Sequence, residues 1–162
     1  MKTALKYLFA LALLGIAYPL DTAAQTAVFE QRFGHVKASC QRVPKSRELV
    51  CIIIYLKEPY LGVQLGSKGD PESVAITAGA RRAPGTDIVI RVDNHAVHST
   101  PRDGFIDYEA QSMLTEMEHG EQVTVRFEST DTDVKTADTI PLADFNEALR
   151  AVQEFREHDK GI

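Results

Sequence analysis

The side chains in this sequence best suited to metal binding lie in one short stretch. His95 and His98 are three residues apart beside a predicted turn, and Asp93 and Asp103 are near them in the chain. Imidazole and carboxylate groups bind transition metals, but a site needs three or four converging ligands. Nothing in this stretch fixes that geometry, so we interpret it as a solvated hairpin end. The sequence predicts no metal and no other cofactor.

Carboxylates are the next candidates for chemistry. Asp107 or Glu109 would suit an acid-dependent hydrolase, a reaction that needs acids held at a set separation around a cleft. A solvated acidic helix face, shared with Glu116 and Glu118, explains them more simply. The sequence contains no serine nucleophile elbow, no phosphate-binding loop and no dinucleotide-binding glycine motif. We therefore predict no catalytic residues and a protein that is not an enzyme.

Arg81 and Arg82 form a basic pair beside Pro84 and Gly85, in a chain whose formal charge is -5. Two arginines on a rigid loop are suited to contact an anionic surface such as a carboxylate or a lipopolysaccharide. The alternative is an ordinary soluble loop tip. The acidic balance argues against nucleic acid as a partner, because neutralising phosphates requires clustered Lys and Arg.

Cys40 and Cys51 lie on two predicted strands, Phe33–Val43 and Glu48–Lys57, joined by the polar turn Pro44–Arg47. Pairing the strands across this turn puts the two cysteines directly opposite each other. Opposed residues in a non-hydrogen-bonded antiparallel pair have Cα atoms about 4.5 Å apart, within reach of a disulfide. A redox pair or a metal site fits less well, because the spacing is not C-x-x-C and two thiols rarely hold zinc. We predict a structural disulfide.

The second of these strands is apolar on both faces, since Val50, Ile52 and Ile54 alternate with Cys51 and Ile53. Such a strand is usually central in its sheet and covered on both sides. We expect that position here.

The front of the chain is typical of an export signal. Lys2 and Lys6 form a positive region before the apolar run Tyr7–Ala17, and small residues precede a cut after Ala24. The run is far shorter than the roughly 20 residues that span a bilayer, and no other stretch approaches that length. We predict a signal peptide over 1–24, and no transmembrane segment in the mature chain.

The rest of the chain is β-rich. Its 162 residues, 44% apolar and 25% charged, suit one globular domain over 25–162. Two amphipathic helices are predicted, one internal (Glu109–His119, with Gly120 as its C-cap) and one C-terminal (Ala143–His158). We expect a β-sandwich or flattened barrel of about seven to nine short antiparallel strands with these helices. The further predicted strands are Tyr60–Leu65, Val74–Ala78, Asp87–Asp93, Ala96–Thr100, Val123–Phe127 and Val134–Ile140.

Five stretches in fixed order carry a family resemblance. They are Phe33-Gly34-His35-Val36, Asp87–Asp93, Glu118-His119-Gly120-Glu121, Val123–Phe127 and Ile140–Leu149, with Cys40 and Cys51 after the first. Together they resemble the invasion associated locus B family of bacterial periplasmic or surface-associated proteins. Unlike many members, this chain has His35 after the opening glycine and no second cysteine pair.

The resemblance implies an exported protein linked to host-cell interaction or envelope function, and no catalytic residues. We expect a non-enzymatic protein of a Gram-negative bacterium, in the periplasm, at the surface or secreted. Its expected partner is a protein or a cell-envelope component. The alternative is a periplasmic inhibitor or immunity-type protein that blocks an enzyme through a loop, with residues 66–71 or 81–85 as candidates.

Overall fold

The structure is a computed structural model that describes residues 27–44, 46–57, 60–66, 74–78, 82–128 and 135–159. These residues form ten strands and two helices. The predicted signal peptide (1–24) and Arg81 lie outside the described residues. In chain order the elements are β1 (Ala27–Phe33), β2 (Val36–Arg42), β3 (Leu49–Tyr55), β4 (Leu61–Leu65), β5 (Val74–Ala78), β6 (Ile88–Val92), β7 (His98–Thr100), β8 (Gly104–Ile106), α1 (Asp107–His119), β9 (Gln122–Glu128), β10 (Lys135–Pro141) and α2 (Ala143–Asp159).

The strands form two antiparallel sheets. The first has six strands in the order β1-β2-β3-β4-β5-β8, and the second has four in the order β10-β9-β6-β7. The predicted fold class is confirmed: the protein is mainly β, sandwich-like, with one internal and one C-terminal helix. The described part contains ten strands rather than seven to nine, and it is not a closed barrel.

A single apolar core joins the two sheets and the two helices. Burial alternates along β4, β5 and β6, so that in β6 Ile88, Ile90 and Val92 are buried while Arg91 is exposed. Both helices bury one stripe, as their predicted amphipathic spacing requires. The helix residues in this core are Ala110, Met113 and Met117 from α1, and Phe145, Ala148, Leu149 and Val152 from α2.

The hairpin of β2 and β3 has the predicted register, in which Cys40 pairs with Cys51. The first predicted strand, Phe33–Val43, is wrong at its start, because a turn at Gly34 separates β1 from β2. Gly34 has φ +51°, a left-handed conformation that favours glycine. β2 then returns along β1, which is the edge strand of the sheet, and Phe29 lies opposite Cys40.

The C-terminal helix lies on the cysteine-bearing face of β1, β2 and β3. Phe155 of α2 stacks on Phe29 with ring centroids 5.0 Å apart. Asp159, in the last turn of the helix, pairs with Arg42 at the end of β2 (2.6 Å). Since the first turn of the helix contacts the start of β2 through His35, α2 runs parallel to β2.

β3 is the third of six strands, as expected for a central position. Only one of its faces is fully covered, however. Cys51 and Ile53 are buried beneath α2, whereas Val50 and Ile52 are half-buried and Ile54 is 36% exposed on the other face. The expected cover on both sides is therefore wrong for the described part of the chain, because both helices pack on the inner face.

The internal helix begins two residues earlier than predicted and follows β8, a three-residue strand that was not among the predicted strands. Gly120 occupies the C-cap as predicted, but with φ -86°, so no left-handed conformation requires glycine there. Close packing favours glycine at this position, because a Cβ at position 120 would lie 2.6 Å from Val92 Cγ1. α1 has 13 residues and α2 has 17, and no helix in the described ranges is both long and apolar enough to cross a membrane.

Candidate functional site

The predicted disulfide between Cys40 and Cys51 is present. The two residues face each other on β2 and β3 with Cα atoms 4.0 Å apart, and neither is exposed to solvent. The bond closes a short loop, with a sequence separation of 11. Because α2 packs on this face, the bond ties together the two strands that support the C-terminal helix.

Arg82, the described member of the predicted partner-contact pair, is engaged within the chain. Its guanidinium donates a hydrogen bond to the Thr86 carbonyl and forms an ion pair with Asp103 at 2.9 Å. Its side chain is only 10% exposed, whereas Asp103 is fully exposed. Arg82 therefore fastens the loop before β6 to the loop before β8. A role in partner contact stays a prediction.

The residues of the predicted hairpin end point in different directions. His98 faces α1, where its Nε2 lies 3.2 Å from a Glu116 oxygen and its ring meets Phe105 edge-on. His95 is exposed, and the Asp93 carboxylate accepts backbone N–H groups from residues 121 and 122. Across the described ranges, no group of three or more His, Cys, Asp or Glu side chains is placed to hold a metal ion.

Asp107 and Glu109 lie in the first turn of α1. Asp107 is exposed and has a left-handed φ of +54°, and Glu109 lies 3.6 Å from Arg102 in a surface ion pair. The cavities described below do not include either carboxylate. The acid-dependent hydrolase stays the least supported hypothesis.

An exposed cationic surface lies on the outer face of the four-stranded sheet. Arg91 on β6 and Arg126 on β9 are both exposed there. β6 and β9 pair so that Arg126 is opposite Val89 and Arg91 is opposite Thr124. The two arginines are therefore diagonal neighbours, with Cβ atoms about 7 Å apart. We call Val89, Arg91, Val97, Thr124 and Arg126 the arginine face.

Neither of these two guanidiniums has a hydrogen bond or ion pair with any residue that the structure describes. Two like charges on adjacent strands repel each other. An exposed cation pair that has no counter-ion among the described residues is a ready contact for an external carboxylate or phosphate.

Two hollows flank Arg126. The larger has a volume of about 300 Å³ and is lined by Thr86, Asp87, Val89, Arg126, Phe127, Glu128 and Ala137. The smaller, of about 60 Å³, is formed by the arginine face itself. The larger volume is at the lower limit of small-ligand pockets, and both hollows are open, so they suit side chains of a partner better than an enclosed ligand.

Sequence reasoning did not single out Arg91 and Arg126. The sequence did indicate that both arginines point outward, because each interrupts the buried apolar positions of an alternating strand, Ile88–Val92 or Val123–Phe127. Their proximity follows from the pairing of β6 with β9, which no local pattern specifies. Arg81 and Arg82 differ in this respect, because they are adjacent in sequence.

The stretches that carry the family resemblance meet in space at two junctions. At one, Gly34 and His35 contact Asp144. At the other, the Leu142 backbone N–H donates to the Glu121 carbonyl at 2.9 Å, and Asp93 accepts from the same region. These stretches therefore hold α2 and β9 in place.

A comparison of the chain with protein-family models, with curated proteins and with solved structures found no match in any of the three.

Proposed function

We propose that this protein is an exported binding protein of the bacterial cell envelope, similar to the invasion associated locus B family, that acts through its surface and not by catalysis. The observation that carries this proposal is the disulfide between Cys40 and Cys51. Disulfides form and persist in oxidising compartments and are rare in the cytosol. The bond therefore agrees with the export signal predicted over residues 1–24.

The surface supports binding as the mode of action. A half-exposed apolar strip on β3 and the arginine face both lie on outer faces of sheets, away from the two helices. Exposed sheet faces with apolar and unpaired cationic side chains are typical of interaction surfaces. The periplasm, the outer surface or the medium of a Gram-negative bacterium is the proposed location.

The proposal is tested by fractionation of a Gram-negative host that expresses the full chain with a C-terminal tag. We expect mature protein outside the cytosol, with Gln25 as its first residue by mass spectrometry and with no alkylatable thiol. The matched control replaces Leu11 and Leu13 with Arg, which interrupts the apolar run without changing the domain. This variant should stay in the cytosol, unprocessed. Unprocessed wild-type protein with two free thiols in the cytosol would disprove the proposal.

A further inference from the structure

The arginine face has features that specify the chemistry of a partner. Arg91 and Arg126 are exposed, diagonal on neighbouring strands, and both line the same small hollow with Val89 and Val97. Guanidinium groups bind carboxylates in a bidentate manner, and apolar side chains between them add contact area. The surface thus combines two anion-binding side chains with apolar positions, and the pairing of β6 with β9 fixes the spacing of the two arginine Cβ atoms.

The spacing of the two arginines matches an extended peptide. Side chains at positions i and i+2 of a strand point to the same side and are separated by about 6.7 Å. The diagonal separation of Arg91 and Arg126 on the paired strands is about 7 Å. Two acidic side chains that alternate with apolar ones can therefore contact both guanidiniums, while adjacent acids point to opposite sides of a strand.

The acids around the larger hollow favour a peptide over a polyanion. Asp87 and Glu128 line this hollow beside Arg126, and Asp87 Oδ2 accepts a hydrogen bond from Ser99 Oγ at 2.7 Å. With the formal charge of -5, these carboxylates would repel the dense charge of a lipid surface or a lipopolysaccharide. A peptide carries only a few carboxylates and places amide and apolar groups against the rest of the surface.

From these observations we propose that the arginine face binds an extended segment of a partner protein that carries two carboxylate side chains two residues apart. This inference rests on the proposed function as a surface-binding protein. It adds the surface used and the chemical class of the segment that it recognises.

The test uses the mature protein and two fluorescein-labelled heptapeptides of equal composition, Ser-Val-Asp-Val-Asp-Val-Ser and Ser-Val-Val-Asp-Asp-Val-Ser. Fluorescence anisotropy should show tighter binding of the first peptide. The combined change Arg91→Ala and Arg126→Ala should weaken its binding by about tenfold, because two charged surface contacts are lost. Raising the salt concentration should weaken it further.

Arg102→Ala and Arg150→Ala are the matched controls, because both remove an exposed arginine that lies outside the arginine face. They should leave the dissociation constant unchanged, and all variants should keep the wild-type urea midpoint. Equal affinity for the two peptides, or no binding of either, would overturn the inference. Binding to vesicles of phosphatidylglycerol and phosphatidylcholine is measured in parallel. If the double variant loses vesicle binding but binds the peptide as the wild type does, the inference is also overturned. The fractionation test of the proposed function depends on residues 1–24 and the thiols, whereas the peptide test depends on the arginine face. Failure of the peptide test is therefore distinguishable from failure of the proposed function.

Discussion

The Asp144 carboxylate accepts a hydrogen bond from the backbone N–H of His35 at 3.1 Å, across 109 positions in the chain. The turn that presents this N–H contains Gly34, and a Cβ at position 34 would overlap the same carboxylate. The Asp144 carboxylate, in the first turn of α2, thus occupies the space that a Cβ at position 34 would need. Together with the ion pair between Arg42 and Asp159, this contact holds both ends of the helix on the sheet.

Gly34→Ala should lower the free energy of unfolding by about 2 to 3 kcal/mol, since it combines a strained left-handed backbone with the overlap at Asp144. Urea denaturation followed by circular dichroism measures this change. Gly85→Ala is the control, because Gly85 has φ +79° but no atom within 4 Å of an added Cβ. It should lower the free energy by only about 1 kcal/mol. An equal decrease in the free energy of unfolding of the two variants would show that the overlap with Asp144 does not affect stability.

Replacing both Cys40 and Cys51 with Ala should lower the free energy of unfolding by about 3 kcal/mol. The expected loss is that of releasing a short closed loop in the unfolded chain. Wild-type protein refolded in the presence of a reductant should match the double variant. Alkylation and mass spectrometry of untreated wild-type protein provide the check: two modified cysteines would mean that the bond is absent.

Asp93→Ala should destabilise the junction between α1 and β9. The Asp93 carboxylate accepts hydrogen bonds from the backbone N–H groups of Glu121 and Gln122, both at 3.0 Å, and its φ of +43° is tolerated better by Asp or Asn than by Ala. We expect a loss of about 2 kcal/mol for Ala and about half of that for Asn. Hydrogen exchange measured by NMR should show faster exchange of the amides of residues 121 and 122. Unchanged exchange in Asp93→Ala would contradict this role.

Arg156→Leu should cost about 2 kcal/mol. Arg156 is only 6% exposed on α2, and its Nη2 donates to the buried Gly66 carbonyl at 2.7 Å. Leu keeps the apolar contacts but leaves that carbonyl without this donor. Arg150→Leu on the exposed side of the same helix is the control and should change the stability by less than about 0.5 kcal/mol. Similar thermal midpoints for the two variants would contradict the assigned role.

The elements that local pattern predicted well are those with strong alternation or helical spacing. The β2–β3 register could be predicted because a four-residue turn and two cysteines constrain the same pairing. β1 was not predicted, because Glu30, Gln31 and Arg32 interrupt any alternation in an edge strand that is largely exposed. β8 has only three residues, and it is a strand because it pairs with β5. No pattern within these three residues indicates that pairing.

The candidate site shows the same division between local and non-local information. Arg81 and Arg82 are conspicuous in sequence, yet Arg82 is used to hold two loops together. Arg91 and Arg126 are inconspicuous in sequence, and they become neighbours only through the pairing of β6 with β9. The residue types were visible in the sequence, but their proximity depends on sheet topology.

The position of α2 over Cys40 and Cys51 has a consequence for the order in which the disulfide and the helix contacts can form. Both sulfur atoms are sealed from solvent once the helix is docked on β1, β2 and β3. The hairpin precedes the helix in the chain, so under the proposed export it would meet an oxidant before α2 had docked over it. If the chain met the oxidant only after α2 had docked, α2 would have to dissociate from the sheet before the buried thiols could react.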